Sequence, residues 1–377
     1  MTERELREIK KRFRPERSNI PAIVGCFVNG SGQIVSKISQ SLGMCDSVTG
    51  ERLLSTMKKT LSGSLGTNLT DVKFSTKQVS ESEEHKLLME LRGSGLKSAE
   101  ALDKFYERVA ESVRFDGNFV ILLAHDVYDV PTRHTDGEAG ESTEQFSYII
   151  CAVCPVKDSA EALAFSESDS RFHSAAAAAL LSSPALGFMF PAFDDRRANI
   201  YNALLYTRSL SDSYGEFTER IFGSEPPMPP KVQKASFNSL LSSSLGEECS
   251  FQVVRSVHEQ IAEMVEAHKE SRDEEPLLIT KATVKSVLEY CGASEEKIEK
   301  VGAAFDDSFG QNAALTPKNL VAVNKFELTS PEVSVKVSPE HRDAVSTQTV
   351  NGQRYLMIRL DGAVEVNGIV ISPDGEE

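Results

Sequence analysis

The chain has 377 residues, 40% of them hydrophobic, enough for more than one core because a domain takes about 100 to 200 residues. Its 56 acidic against 41 basic residues leave a net charge of -15, which disfavours direct attraction to nucleic-acid phosphates or anionic lipid. No apolar run approaches the roughly 18 residues a membrane-spanning helix needs, and the opening M-T-E-R-E-L-R-E-I-K-K-R-F is charged and amphipathic, unlike a signal region, so the expectation is a cytoplasmic protein.

In chain order, Thr2 to Phe13 predicts a helix that stops before Pro15, and Pro21 to Val28 a strand. A turn at Asn29 to Gly32 leads to a weaker strand near Ile34, then a helix from Gly50 to Leu61 closed by Ser62 and Gly63. Ser98 to Val113 places Leu102, Phe105, Tyr106, Val109 and Val113 on one helical face. Asn118 to Val130 and Phe146 to Val156 read as an antiparallel hairpin. The acidic stretch between them, with Asp136, Glu138, Glu141 and Glu144 against Arg133, is expected to be a solvated loop without the ligand register of a calcium site. The alanine-rich run Ser170 to Leu181 predicts a helix ended by Pro184. Gly187 to Phe193 is apolar on both faces, as in an interior strand, with Pro191 suggesting a bulge, and Ala198 to Thr207 fits strand and helix equally.

Ser224 to Lys234, with four prolines, reads as an extended linker. The expected organisation is therefore an α+β domain over residues 1–223, a Pro-rich linker over 224–246, and a smaller domain over 247–377. The first carries a mixed, largely antiparallel sheet with flanking helices. The second is helical, with helices at Ser250 to Lys269, Thr280 to Cys291 and Ser294 to Phe309, and ends in strands at Val321 to Leu328, Val333 to Val337, Tyr355 to Leu360 and Val364 to Ile371. No fixed-period repeat is present.

The segment F-M-F-P-A-F-D-D-R-R-A-N-I-Y-N-A-L-L-Y-T-R, Phe188 to Arg208, concentrates the candidate site. Asp194 and Asp195 could hold a divalent cation, Arg196 and Arg197 could grip a phosphate or carboxylate, and Tyr201, Tyr206 and Arg208 are residue types enriched at binding hot spots. A salt-bridged turn accounts for the four charges equally simply. His125 and Asp126 resemble the dyad of metal-dependent phosphohydrolases, but on a strand they point to opposite faces; His173 could approach from the alanine-rich helix. Cys151 and Cys154 have the spacing of half a zinc site with no second pair, and on a strand they belong to the core. The glycine clusters at 61 to 68 and 92 to 98 lack the preceding strand and the Gly-Lys step of a phosphate-binding loop, and read as connections between helices. No G-x-S-x-G nucleophile motif occurs, and the helix pair from Thr280 to Phe309 is too acidic for a DNA-recognition helix.

The segments I-K-K-R-F at 9 to 13, G-C-F-V at 25 to 28, K-K-T-L-S-G at 58 to 63 and G-F-M-F-P-A-F-D-D-R-R-A-N-I-Y-N-A-L-L-Y-T-R at 187 to 208 resemble a bacterial domain-of-unknown-function family, number four-three-one-seven, along nearly the whole chain. That resemblance implies no particular activity. The order of a helix around Phe105, the paired strands F-D-G-N-F-V-I-L-L-A-H and F-S-Y-I-I-C-A-V, a late helical region and terminal strands is similar to the nucleoid-associated NdpA-like proteins, from which no DNA-contacting residue carries over. The expected function is non-enzymatic binding of a protein or nucleoprotein partner, in a nucleoid assembly by that resemblance, with direct DNA binding weak at most, no cofactor, no membrane, and homo-oligomerisation left open. The alternative is a metal-dependent phosphoester hydrolase using His125, Asp194 and Asp195.

Overall fold

The computed structural model describes residues 1–133, 139–159, 161–166, 168, 170–175, 178–271, 273, 275–321, 326–329, 332–338, 341, 344–359, 364–366 and 369–371. The chain divides into two compact units, Met1–Val232 with Glu274–Pro276, and Gln233–Asp273 with Leu277–Glu377.

The first unit opens with α1 (Glu3–Lys10), whose start is sealed by a reciprocal capping box between Thr2 and Glu5. There follow β1 (Ala22–Val28), β2 (Ile34–Ser41), α2 (Ser47–Lys59), β3 (Leu69–Lys73), α3 (Thr76–Glu81), α4 (Glu83–Gly93) and α5 (Ala99–Ser112). Next come β4 (Phe119–Arg133), β5 (Ala139–Ser159), β6 (Ala162–Ser166), β7 (Arg171–Ala175), β8 (Ala178–Leu181), β9 (Leu186–Phe190), β10 (Ala192–Asp194), β11 (Arg197–Asn199), β12 (Asn202–Thr207) and α6 (Gly215–Phe222). An antiparallel sheet of 8 strands runs β2-β1-β4-β5-β9-β12-β3, with β8 paired to β5 off this path. The protein is thus α+β.

Period-two alternation splits the sheet's side chains between two cores. On one face Ile121, Leu123, Ile149, Cys151, Val153 and Phe188 pack under α4, α5 and α6 through Leu88, Leu91, Phe105, Val109 and Phe222. On the other Val120, Leu122, Ala124, Tyr148, Ile150 and Cys154 pack under α1 and α2 through Leu6, Ile9, Leu54 and Met57. Each fully buried side chain of this size contributes about 1.5 to 3 kcal/mol, so both layers are needed to hold the sheet.

Three expectations change. The described residues of the run Ser170 to Leu181 are not helical: β7 pairs with β6, and β8 lies along the end of β5, from Val156 opposite Leu181 to Ser159 opposite Ala178. Strand β5 continues past the main sheet, and pairing with its open edge outweighs helix preferences worth under about 1 kcal/mol per residue. The acidic loop between β4 and β5 shrinks as well. The ladder continues through Val130 opposite Glu144 and Pro131 opposite Ser142 to Arg133 opposite Ala139, while Asp136 and Glu138 lie outside the described residues. The expected linker is extended only in part, because Pro230 opens helix α7 (Pro230–Leu245), proline being suited to a first helical turn. Ala198 to Thr207 resolves as the end of β11 and the whole of β12.

In the second unit, α7 is followed by α8 (Phe251–Ser271), β13 (Ile279–Thr280), α9 (Lys281–Tyr290), α10 (Glu295–Phe309), β14 (Ala314–Leu315) and α11 (Pro317–Leu320). Phe237, Leu241, Val257, Ile261, Leu288 and Phe305 form its core. Among the described residues, three two-stranded antiparallel pairs follow: β15 (Phe326–Thr329) with β16 (Ser334–Val337), β17 (Val345–Val350) with β18 (Gln353–Ile358), and β19 (Val364–Val366) with β20 (Ile369–Ile371).

Candidate functional site

Asp194, Asp195, Arg196 and Arg197 form the turn of the β10–β11 hairpin. Asp194 opposes Arg197, and the two residues between them both have positive φ, 49° and 58°, the geometry of a tight two-residue turn. The four charges are engaged unequally. Asp194 pairs with the amino group of Met1 at 2.5 Å and accepts from Asn199 Nδ2 at 2.7 Å. Burial would raise its pKa, but these contacts more than offset burial and hold the carboxyl below its usual 3.8. Arg196 is tied to α1: its backbone N–H donates to Glu5 Oε1 at 3.0 Å and its guanidinium to Glu8 Oε1 at 2.9 Å, an oxygen that also accepts from the Tyr128 hydroxyl. Arg197 reaches instead to Glu144 at 2.8 Å in the open. Tyr201 is exposed and Tyr206 is buried in the core beneath α1 and α2. Arg208 donates to the Ser183 carbonyl at 3.1 Å, at the far end of β12, about 20 Å along the strand from Tyr201. The candidate residues therefore lie on several surfaces and in the core, and do not converge on one site.

The histidine and aspartate of the dyad-like pair lie on opposite faces, as strand alternation implies. Asp126 is buried, and Arg12, in the turn just after α1, grips it through two hydrogen bonds of 3.0 and 3.2 Å, while the Tyr148 hydroxyl donates to it at 3.0 Å. His125 faces the opposite layer. There α4 ends at Gly93 while β4 and β5 run on, so the face that carried Ile121 and Leu123 continues as His125, opposite Ile149, and Val127, opposite Ser147. The uncovered corner is a cleft of about 510 Å³, floored by His125 and Ser147 and walled by Arg92, Lys97, Met89 and Pro21. His125 Nε2 lies 2.9 Å from Ser147 Oγ, and Arg92 Nε donates to the Ser147 carbonyl at 2.7 Å. Burial lowers the pKa of His125. Asp126 opposes that shift and the like charges of Arg92 and Lys97 add to it, so the ring stays below its ordinary 6.5. Burial likewise lowers the pKa of Arg92 from its ordinary value.

The Gly93 to Ser98 turn beside the cleft does not cradle an anion with its backbone. The N–H groups of Ser94, Gly95 and Leu96 donate back to the carbonyls of Glu90, Arg92 and Leu91, closing α4, and the Ser98 hydroxyl donates to Glu90 Oε1. The expected role of this turn as a connection between helices is what the structure shows. What the sequence did not single out was Arg92 and Lys97 as a pair. The signal for them was two cations bracketing a Gly-Ser-Gly turn, and nothing local placed His125 between them.

A family model described as a domain of unknown function (DUF4317) matches residues 1–369. The chain belongs to that family. No curated protein matches this DUF4317 chain. Other features of the DUF4317 fold bear on metal and thiol chemistry. Among the described residues no three His, Cys, Asp or Glu side chains come together to hold a metal ion. His173 lies in β7 opposite Ala164, not on a helix. Cys151 and Cys154 are buried on opposite faces of β5, and burial pushes Cys154 up to about 12 and Cys151 well above its ordinary value, so both are thiols of the core. No helix among the described residues is long and apolar enough to cross a membrane.

Proposed function

We propose that the chain is a non-enzymatic binding protein and that the cleft at His125 seats an anionic ligand. One observation carries this reading. In a chain of net charge -15, the described residues lining the cleft include Arg92, Lys97 and His125 and no carboxylate. Such a lining focuses positive potential into a concave, partly desolvated site, which favours anions over the repulsion of the acidic surface. A macromolecular partner fits this reading if it presents an acidic group to the cleft. A nucleoid assembly would have to be reached through a protein partner, since the net charge opposes direct contact with DNA. The metal-dependent hydrolase reading has no assembled ligand set among the described residues from which to argue.

The test is thermal melting of the full chain against pyrophosphate and citrate. A ligand at 100 times its Kd stabilises by about 2.7 kcal/mol, and for a domain of this size about 2 to 4 °C accompany each kcal/mol. The expected outcome is a rise of several degrees that is lost in Lys97→Ala. Lys97 is exposed, so its replacement leaves the core intact. Melting curves that no anion moves would sink the proposal.

A further inference from the structure

Resting on that reading, the chemistry of the cleft goes further and selects among anions. A carboxylate offers two oxygens in one plane and is satisfied by a single guanidinium fork. Here donors arrive from three directions: Arg92 from the last turn of α4, Lys97 from the turn beyond it, and the His125–Ser147 pair from β4 and β5. Two of these groups are permanent cations. A phosphate monoester presents three terminal oxygens and a charge of about -1.5 to -2 at neutral pH, which matches both counts.

The donors are also preorganised. Arg92 is held by its Nε on the Ser147 carbonyl, so its terminal nitrogens are the part free to turn toward a ligand, and its Nη1 rests 3.8 Å from Met89 Sδ. His125 is positioned by Ser147, so a single contact orients both polar groups of the floor. Glu90, the nearest carboxylate on α4, is turned to the Ser98 hydroxyl at 2.7 Å. Beside this polar end stand Met89, Val127 and Pro21, an apolar wall of no use to inorganic phosphate. The space, about 510 Å³, lies in the range of small-molecule sites and is too large for a lone phosphate ion.

We infer that the cleft takes a small organic phosphate monoester, its phosphate seated among Arg92, Lys97, His125 and Ser147 and its organic body against Met89, Val127 and Pro21. The turn of glycines at 93 to 95 serves this by bringing Lys97 back over the sheet, while side chains and not backbone amides hold the phosphate. This explains how a phosphate site can exist in a chain without a phosphate-binding loop motif.

Titration calorimetry of the full chain with phenyl phosphate, inorganic phosphate and benzoate separates the possibilities. The expected result is phenyl phosphate binding at least tenfold tighter than either of the others, weakened at least tenfold by Lys97→Ala and several-fold by Ser147→Ala. Benzoate binding as tightly as phenyl phosphate would overturn the phosphate assignment and leave the anion cleft standing. Inorganic phosphate binding as tightly would overturn the organic monoester. Phenyl phosphate binding equally to wild type and both variants would place its site elsewhere and overturn the inference. No binding by any of the three, together with melting curves unmoved by pyrophosphate or citrate, would remove both readings. Because Arg92 also supports Ser147, Arg92→Lys is the companion variant: it keeps the charge, loses the fork, and should weaken phenyl phosphate while the protein melts as a folded chain.

Discussion

Arg196 and Arg197 are neighbours in sequence with opposite stakes. Arg196 is largely buried against Glu8, with side-chain exposures of 21% and 15%, and it holds its left-handed backbone because its N–H is fixed by Glu5. Arg197 is 72% exposed and meets Glu144 in solvent. Removing one partner of a shielded pair leaves the other charge uncompensated, whereas exposed pairs are worth roughly 0 to 1 kcal/mol. Urea unfolding should therefore show Arg196→Ala destabilised by about 1 to 3 kcal/mol and Arg197→Ala by no more than about 0.5 kcal/mol; equal losses would mean that the clasp to α1 does not bear on stability. If the turn itself meets a partner, Arg197 is the one available to do so, and its loss should reduce recovery of that partner without changing the melting curve.

At the scale of elements, the strength of a signal tracked how much of the cause was local. Helices α1, α5, α8, α9 and α10 were legible because amphipathic spacing and caps lie within the segment itself: Thr2 with Glu5, and Ser98 accepting from Ala101. Strands β4 and β5 were legible as apolar runs, but their length was not, because the ladder beyond Val130 depends on cross-strand pairing of polar residues. Strand β3 and helix α4 were missed: β3 is a short edge strand specified by β12, and α4 is short of the apolar stripe that marks α5. The cleft was missed for the same reason, since it exists only where α4 stops and the sheet does not. Gly187 shows how close the sheet's neighbours come. A Cβ there would run into the Cys151 carbonyl oxygen on β5 and lie 2.7 Å from Thr60 Cγ2. Gly187→Ala should cost about 1 to 3 kcal/mol in urea unfolding, and an unchanged midpoint would show that the β5–β9 contact is looser than described.

For the whole molecule, the separation of cores decides what can stand alone. Among the described residues, the buried side chains of the sheet's two cores lie between Leu6 and Phe222, and those of the third between Phe237 and Val321. Fragments 1–229 and 230–377 are accordingly expected to give one cooperative melting transition each when produced separately; a first fragment without a transition would contradict the division. The strand order within the first unit also sets a timetable. β3 is made early but its neighbour in the sheet is β12, with Lys73 opposite Asn202, and Glu5 waits for an arginine 191 positions further on. On a ribosome adding residues one at a time, the far edge of the sheet and the clasp on α1 stay open until the last strand has emerged, so the chain carries its longest strands, β4 and β5, with the sheet still incomplete until then. Assembly is thus governed by its slowest arrival, and a pause or truncation before residue 207 leaves an open sheet edge for chaperones to shelter.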